Sequence, residues 1–420
     1  MQLKRLALTQ VRGFERAEFT FQPGMNVLVG VNGAGKSTVL EALRILLSQL
    51  LPKFTPSRSR PDEFEKTDIR VGRLALTAEL WFEVAGTEFD YLVHIPREDF
   101  QIDASREGEV RDQSYIFSER HELTPDGPTS EEILKSDSTA PVAVYFSTRR
   151  TLTNMITPNT SSTVRGQALA YAEALGHREL RLLGFARWWL VQEALGKESG
   201  RSHFGERMEV LNDAVCRFLD GCSNLRAVRE PEITMLIDKM DGPLDVRQLS
   251  DGERGLLSLV LDLARRLAHA NPGLDNPLLE GKAIVLIDEL DLHLHPGWQR
   301  DVVHKLVKTF PKCQFIVTTH SPQIIGEVPP EQIILLENGK VITTDRSLGM
   351  DANWILEFLM GTAPRNPATE QKLETISDLL EDEQFDLAEE KINELRAQIG
   401  EFPELVRLQT RLDRMRILGV

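Results

Sequence analysis

The residues Gly30-Val31-Asn32-Gly33-Ala34-Gly35-Lys36-Ser37 match the pattern G-x-x-x-x-G-K-[ST] in full. Glycines at these places let successive backbone N–H groups turn inward around a phosphate, where side chains would clash. The run Asn32, Gly33, Ala34, Gly35, Lys36, Ser37 and Thr38 is therefore read as a nucleotide-binding loop. Lys36 would reach the β- and γ-phosphates, and the Ser37 hydroxyl would fill one coordination position on Mg²⁺. Three later stretches carry further chemistry. Leu249-Ser250-Asp251-Gly252-Glu253-Arg254-Gly255 opens a long apolar helix, and Ser250 and Glu253 have the S-x-x-E spacing of a capping box. A well-capped helix is the simplest account of that stretch. Ala283-Ile284-Val285-Leu286-Ile287 runs uninterrupted into Asp288-Glu289. An acidic pair at the C-terminal end of a buried parallel strand sits at the sheet edge where ligands bind. Asp288 suits Mg²⁺ held through water, and Glu289 suits a base that orients and deprotonates an attacking water. Phe315-Ile316-Val317-Thr318-Thr319 is a second such strand, ending in His320, a γ-phosphate contact in this setting.

These groups need elements to hold them. Met25 to Val29 reads as a buried strand entering the loop, and Lys36 to Leu50 as a helix leaving it with Val39, Leu40, Leu43, Leu46 and Leu47 as its apolar stripe. Residues 2–30 read as three strands, and 73–83 with 88–96 as a hairpin around Ala85-Gly86-Thr87. Residues 97–140 are polar and turn-rich and read as a long excursion. Val142 to Ser147 returns as a buried strand before Thr148-Arg149-Arg150; about 165–220 is helical, and 225–248 holds short strands. Residues 331–343 form a last hairpin around Asn338-Gly339, a type I′ signal.

With 420 residues, 41% of them hydrophobic, the chain can bury one large core or two moderate ones. A net charge of −15 argues against a protein coated with nucleic acid, because phosphate binding needs concentrated Lys and Arg. Cys216, Cys222 and Cys313 lack metal-ligand spacing, and an odd, sparse count suits a reducing cytoplasm. Charge interrupts the N-terminal stretch before a signal-peptide core forms, and Asp262 breaks the best apolar run. The expectation is a cytoplasmic protein with no membrane segment.

The four motifs, in this order, resemble the ATPase head of the ABC superfamily over residues 1–345. The resemblance implies an α/β fold: a mixed, mainly parallel sheet flanked by helices, an antiparallel β lobe, a helical insertion and a C-terminal helical tail. It also implies ATP and Mg²⁺, and a homodimer with two ATP molecules at its interface. The helix N-terminus at Ser250, Asp251, Gly252 and Glu253 would then act in trans, its partial positive charge meeting the γ-phosphate seated on the other subunit's Lys36. The signature reads SDGE where transporters have SGGQ, and about 250 residues separate Lys36 from Asp288. Gln113 and Gln167 are the candidates for a Q-loop glutamine, with Arg149 and Arg150 as alternative phosphate sensors. Glu289 to Pro296 resembles the D-loop region of the RecF/OLD-like branch, which accounts for the spacing of Asp291, His293 and His295 without a metal. Arg12 resembles the early arginine beside the nucleotide in RecF- and SMC-like heads.

Beyond residue 346 the stripes Leu373/Ile376/Leu380, Ala388/Ile392/Leu395/Ile399 and Leu405/Leu408/Leu412/Met415 read as an acidic module of amphipathic helices. That tail has neither the strands nor the acidic triad of a TOPRIM nuclease, and no His-Asn-His pattern. The layout, with YFSTRR (145–150), QLSDGERG (248–255) and NWILEFLMG (353–361), resembles the PtuA family, the ATPase subunits of Septu and some retron-linked bacterial anti-phage systems. That resemblance implies a separate HNH nuclease partner of the PtuB kind, with nucleic acid met through the complex. The alternatives are a RecF-like repair ATPase that clamps DNA itself and a transporter ATPase subunit.

Overall fold

The chain opens with β1 (Gln2–Val11), β2 (Phe14–Thr20) and β3 (Met25–Gly30), and β3 runs into the glycine loop and α1 (Lys36–Leu50). The computed structural model describes residues 1–53, 55–97, 115–119, 140–148, 152–153, 166–176, 180–199, 202–240 and 242–418. β4 (Ala75–Val84) and β5 (Thr87–Pro96) form a hairpin turned by Ala85 and Gly86, whose φ angles of 49° and 85° suit a type I′ turn. β6 (Tyr115–Glu119) lies within the polar excursion and pairs antiparallel with β5. Apart from that strand and its two end residues, 97 and 140, the excursion lies outside the described residues. The order β2-β1-β4-β5-β6 makes an antiparallel lobe. Leu6, Leu8, Leu76, Ala78 and Leu80 share one core with α1 and with Leu28, Ile284, Leu286 and Ile316 of the central sheet. Burying apolar area on both sides is what holds α1 in place.

β7 (Val142–Phe146) is followed by the short parallel pair β8 (Leu152–Thr153) and β9 (Leu180–Arg181). Within the stretch read as helical lie a 3-10 turn at Gly166–Ala170, then α2 (Leu182–Ser199) and α3 (Ser202–Phe218). They pack on an antiparallel sheet of β10 (Cys222–Val228), β11 (Thr234–Lys239) and β12 (Gly242–Asp245). α4 (Asp251–Ala270) leads to β13 (Ala283–Ile287) and β14 (Cys313–Thr318), and β15 (Ile333–Glu337) and β16 (Lys340–Ile342) turn at Asn338-Gly339. The central sheet has the order β16-β15-β3-β14-β13-β7, parallel except for β16. Every residue of β3, β7, β13 and β14 is buried, the pattern of parallel strands covered on both faces.

The chain divides into two compact units, Met1–Ile355 and Leu356–Val420. The first therefore runs somewhat beyond the boundary read at 345, because Ile355 is fully buried and packs at Gly326. In the second, the helices Pro367–Glu381, Phe385–Ile399 and Pro403–Leu418 bury Leu373, Ile376, Leu380, Ala388, Ile392, Leu395, Leu405 and Leu412. Ile399, read as part of that stripe, is 54% exposed; it is the last helical residue before Gly400, whose φ of 85° turns the chain away.

Candidate nucleotide site

Parallel register decides which residues meet. Phe146, Ile287 and Val317 stand abreast on β7, β13 and β14, and Val317 pairs with Val27 of β3. The residues just beyond, Ser147, Asp288 and Thr318, therefore share one sheet edge with the loop that starts at Gly30.

The loop is shaped by close approach. Gly35 has φ 102°, and a Cβ there would lie 2.5 Å from the Phe14 ring; a Cβ on Gly30 would lie 2.5 Å from the Leu336 carbonyl oxygen. Lys36 is buried, and its Nζ donates to the carbonyls of Gly30 (2.7 Å) and Val31 (3.2 Å). Burial lowers the Lys36 pKa, against the opposing pull of the Asp288, Glu289 and Asp291 carboxylates. The charge of three acids is thus felt by the lysine that would meet phosphate. α1 starts at Gly35 without a side-chain cap and with no acid in its first turn, so its positive end suits an anion.

Beside the loop, Arg12, Ser37, Glu41, Tyr145, Ser147, Thr148 and Asp288 line a cavity of about 450 Å³. The Ser37 hydroxyl and the Asp288 carboxylate are hard oxygen donors on one wall system, the donor set that fits Mg²⁺. Arg12, at φ 47°, donates from Nε to Asp68 Oδ1 (2.7 Å). Burial, with Asp288 and Glu41, pushes the Tyr145 hydroxyl well above its usual pKa, so it stays a neutral donor. No sequence motif marks Glu41, Tyr145, Ser147 or Thr148 as part of this lining. Glu41 stands four residues after Ser37 on α1, a spacing that faces the same way and could have found it.

The acidic strand end is stitched to β14. Thr318 Oγ1 donates to Asp288 Oδ1 (2.7 Å) and accepts from the Glu289 N–H (2.7 Å). Thr319 Oγ1 donates to Asp291 Oδ1 (2.6 Å), which also accepts the His320 N–H (3.2 Å). Glu289 has φ 51°, a left-handed conformation that is rare for a residue with a Cβ and that recurs at functional sites. Asp291 is thus committed to holding the His320 turn, and His295 caps the helix Pro296–Thr309 by accepting the Gly297 N–H (3.2 Å).

Ser250 to Glu253 form a true capping box. The Ser250 N–H donates to Glu253 Oε2 (2.9 Å), the Ser250 hydroxyl donates to the same oxygen (2.8 Å), and the Glu253 N–H returns to Ser250 Oγ (3.3 Å). Burial would raise the Glu253 pKa, but its Lys239 ion pair and the Ser250 bonds outweigh that and lower it. Asp251 pairs with Arg254. Both first-turn acids therefore have a cation, which leaves the helix end positive. A Cβ on Gly252 would lie 2.3 Å from the His293 carbonyl oxygen, so this glycine lets the helix start lie against the loop after β13. Gln167 is not at the sheet edge: its amide donates to the Ala270 carbonyl (3.1 Å), and it lines a separate cavity of about 350 Å³ with Trp188 and His269. Gln113, Arg149 and Arg150 lie outside the described residues.

A phosphate loop, an acidic strand end and a histidine turn on neighbouring parallel strands, with an antiparallel lobe over α1, define an ABC-type P-loop ATPase. Residues 25–326 match the AAA_21 family, described as "AAA domain, putative AbiEii toxin, Type IV TA system", and the chain belongs to that family. It is 30% identical to the "Retron Ec83 probable ATPase" of Escherichia coli, over 86% of this chain and 76% of that protein. It is 23% identical to the Septu protein PtuA of Bacillus thuringiensis, over 80% of this chain and 75% of that one. A crystal structure of an SMC head bound to the C-winged helix domain of ScpA aligns with a TM-score of 0.49 and 15% identity, covering 83% of this chain and 98% of that one.

Proposed function

We propose that this chain is an ATPase of bacterial anti-phage defence that dimerises around ATP and so restrains or licenses a partner HNH nuclease of the PtuB kind. The observation that carries the reading is the convergence of Arg12, Ser37 and Asp288 on one cavity beside Lys36 and its three carboxylates. In this reading the loop from Asn32 to Thr38 and Arg12 bind ATP. Ser37 and Asp288 hold Mg²⁺, which would neutralise phosphate charge. Glu289 takes a proton from the attacking water, and His320 contacts the γ-phosphate. Ser250, Asp251, Gly252 and Glu253 serve the partner subunit's nucleotide: a positive helix end has more to gain from a triphosphate than from a diphosphate, so hydrolysis weakens the dimer. The likeness to retron and Septu proteins supports the defence setting.

Native mass by light scattering, with and without Mg-ATP, tests this on wild type and Glu289→Gln. Glu289→Gln is expected to lower turnover by about 10²–10⁴ while keeping ATP binding, and to accumulate the ATP dimer. Adding an HNH nuclease of the PtuB kind should give a complex whose DNA cleavage changes with nucleotide. A mass indifferent to bound ATP would remove the trans role of Ser250. A nuclease indifferent to the ATPase would remove the partner.

A further inference from the structure

Thr318 is fully buried at the end of β14, after Ile316 and Val317. A hydroxyl there carries a desolvation cost that a valine of nearly the same shape would not, so something must use it. One hydroxyl offers one donor and two acceptor lone pairs. Here the donor goes to Asp288 Oδ1 at 2.7 Å, and a lone pair takes the Glu289 N–H at 2.7 Å. The Thr318 carbonyl takes the Leu290 N–H at 2.8 Å. A single residue on one strand thus holds three consecutive residues at the end of the next.

We infer that Thr318 is the positioning residue of the acidic pair, setting the plane of the Asp288 carboxylate and the backbone turn that aims Glu289. The inference rests on the proposed roles of those two acids. Its physical content lies in the φ of 51° at Glu289. A left-handed residue with a Cβ persists only where its surroundings over-determine it. The Thr318 lone pair satisfies the N–H of that strained residue, and its proton ties down one oxygen of the carboxylate just before it. Valine would remove both bonds together and change little in shape, while serine would keep both.

The full-length protein tests this as wild type, Thr318→Val, Thr318→Ser and Glu289→Gln. ATP turnover is measured together with affinity for a fluorescent ATP analogue in EDTA and across a Mg²⁺ titration. Thr318→Val is expected to lose about 10–100-fold in kcat and to need more Mg²⁺ for half-maximal nucleotide affinity, the scale seen when partners of metal-site carboxylates are removed. Its affinity in EDTA should stay within about twofold of wild type, because the phosphate loop is untouched. Thr318→Ser should restore both properties. Wild-type turnover and Mg²⁺ dependence in Thr318→Val would overturn the inference. So would a parallel fall of EDTA affinity, which marks a hydroxyl that serves the fold alone, or a Thr318→Ser as weak as Thr318→Val, which marks a loss that the two hydroxyl bonds do not explain. If instead Glu289→Gln keeps its turnover, the role of Glu289 as base fails, and the Mg²⁺ titration still decides for or against Thr318 through Asp288.

Discussion

Gly35 is the residue where backbone and packing constraints coincide. Its φ of 102° suits glycine, and the Phe14 ring of β2 occupies the space a Cβ would take. Gly33 has φ 82° but open space around it. Gly35→Ala should therefore cost about 1–3 kcal/mol in stability and displace the loop, whereas Gly33→Ala bears the φ strain only. Thermal melts with a nucleotide titration check this: comparable losses in the two variants would mean that Phe14 contributes nothing to the loop. The glycines, Lys36 and Ser37 were legible because their pattern is contiguous and each has its own chemistry. Thr318 was not. Its bond to Asp288 spans two strands, and a threonine in an apolar run looks like any β-branched strand residue. Ser147 and Tyr145 stayed hidden for the same reason, since only parallel register brings them to the cavity.

At the scale of elements, α4 shows what an interrupted apolar run can mean. Asp262, read in the sequence as the charge that breaks the best apolar run, is fully buried together with Arg266. Arg266 Nε donates to Asp262 Oδ2 (2.8 Å), and its Nη1 donates to the carbonyls of Ala170 (2.5 Å) and Ala172 (3.1 Å). The pair thus binds the turn before α2 to the middle of α4. Asp262→Ala would leave the guanidinium buried without its carboxylate, at an expected cost of about 3–5 kcal/mol, while a joint replacement by Leu and Met should cost less, its remaining loss coming from the Ala170 and Ala172 carbonyls that lose the Arg266 donor. Chemical denaturation of the two variants checks it, and equal losses would show that the charge itself is not the issue. The hairpins at Ala85-Gly86 and Asn338-Gly339 were legible because turn chemistry is local. The burial of an ion pair is a property of the assembled layers, and no spacing announces it.

For the whole molecule, acid is the revealing perturbation. His269, near the end of α4 and 6.0 Å from the Trp188 ring, has its pKa lowered to about 4 by burial and by Arg265 and Arg266. An unfolded imidazole titrates near about 6.5. Between those values the unfolded chain takes a proton that the folded one refuses, so the stability governed by His269 is complete above about 6.5 and is lost as the pH drops toward 4. His269→Phe should flatten the decline of melting temperature across that window, and an unchanged decline would mean that other groups carry it. Among the described residues no helix is long and apolar enough to cross a membrane. The order of the central sheet also has a consequence in time. β3, which carries the phosphate loop, lies between β14 and β15, whose residues are about three hundred positions further along the chain. During synthesis β3 gains its β14 flank only once Thr318 has been made and its β15 flank only once Glu337 has, so the sheet around the phosphate loop is completed late. The acidic strand end is translated earlier than β14, whose Thr318 ties down Asp288 and Glu289, so the site takes its final geometry only when β14 joins the sheet.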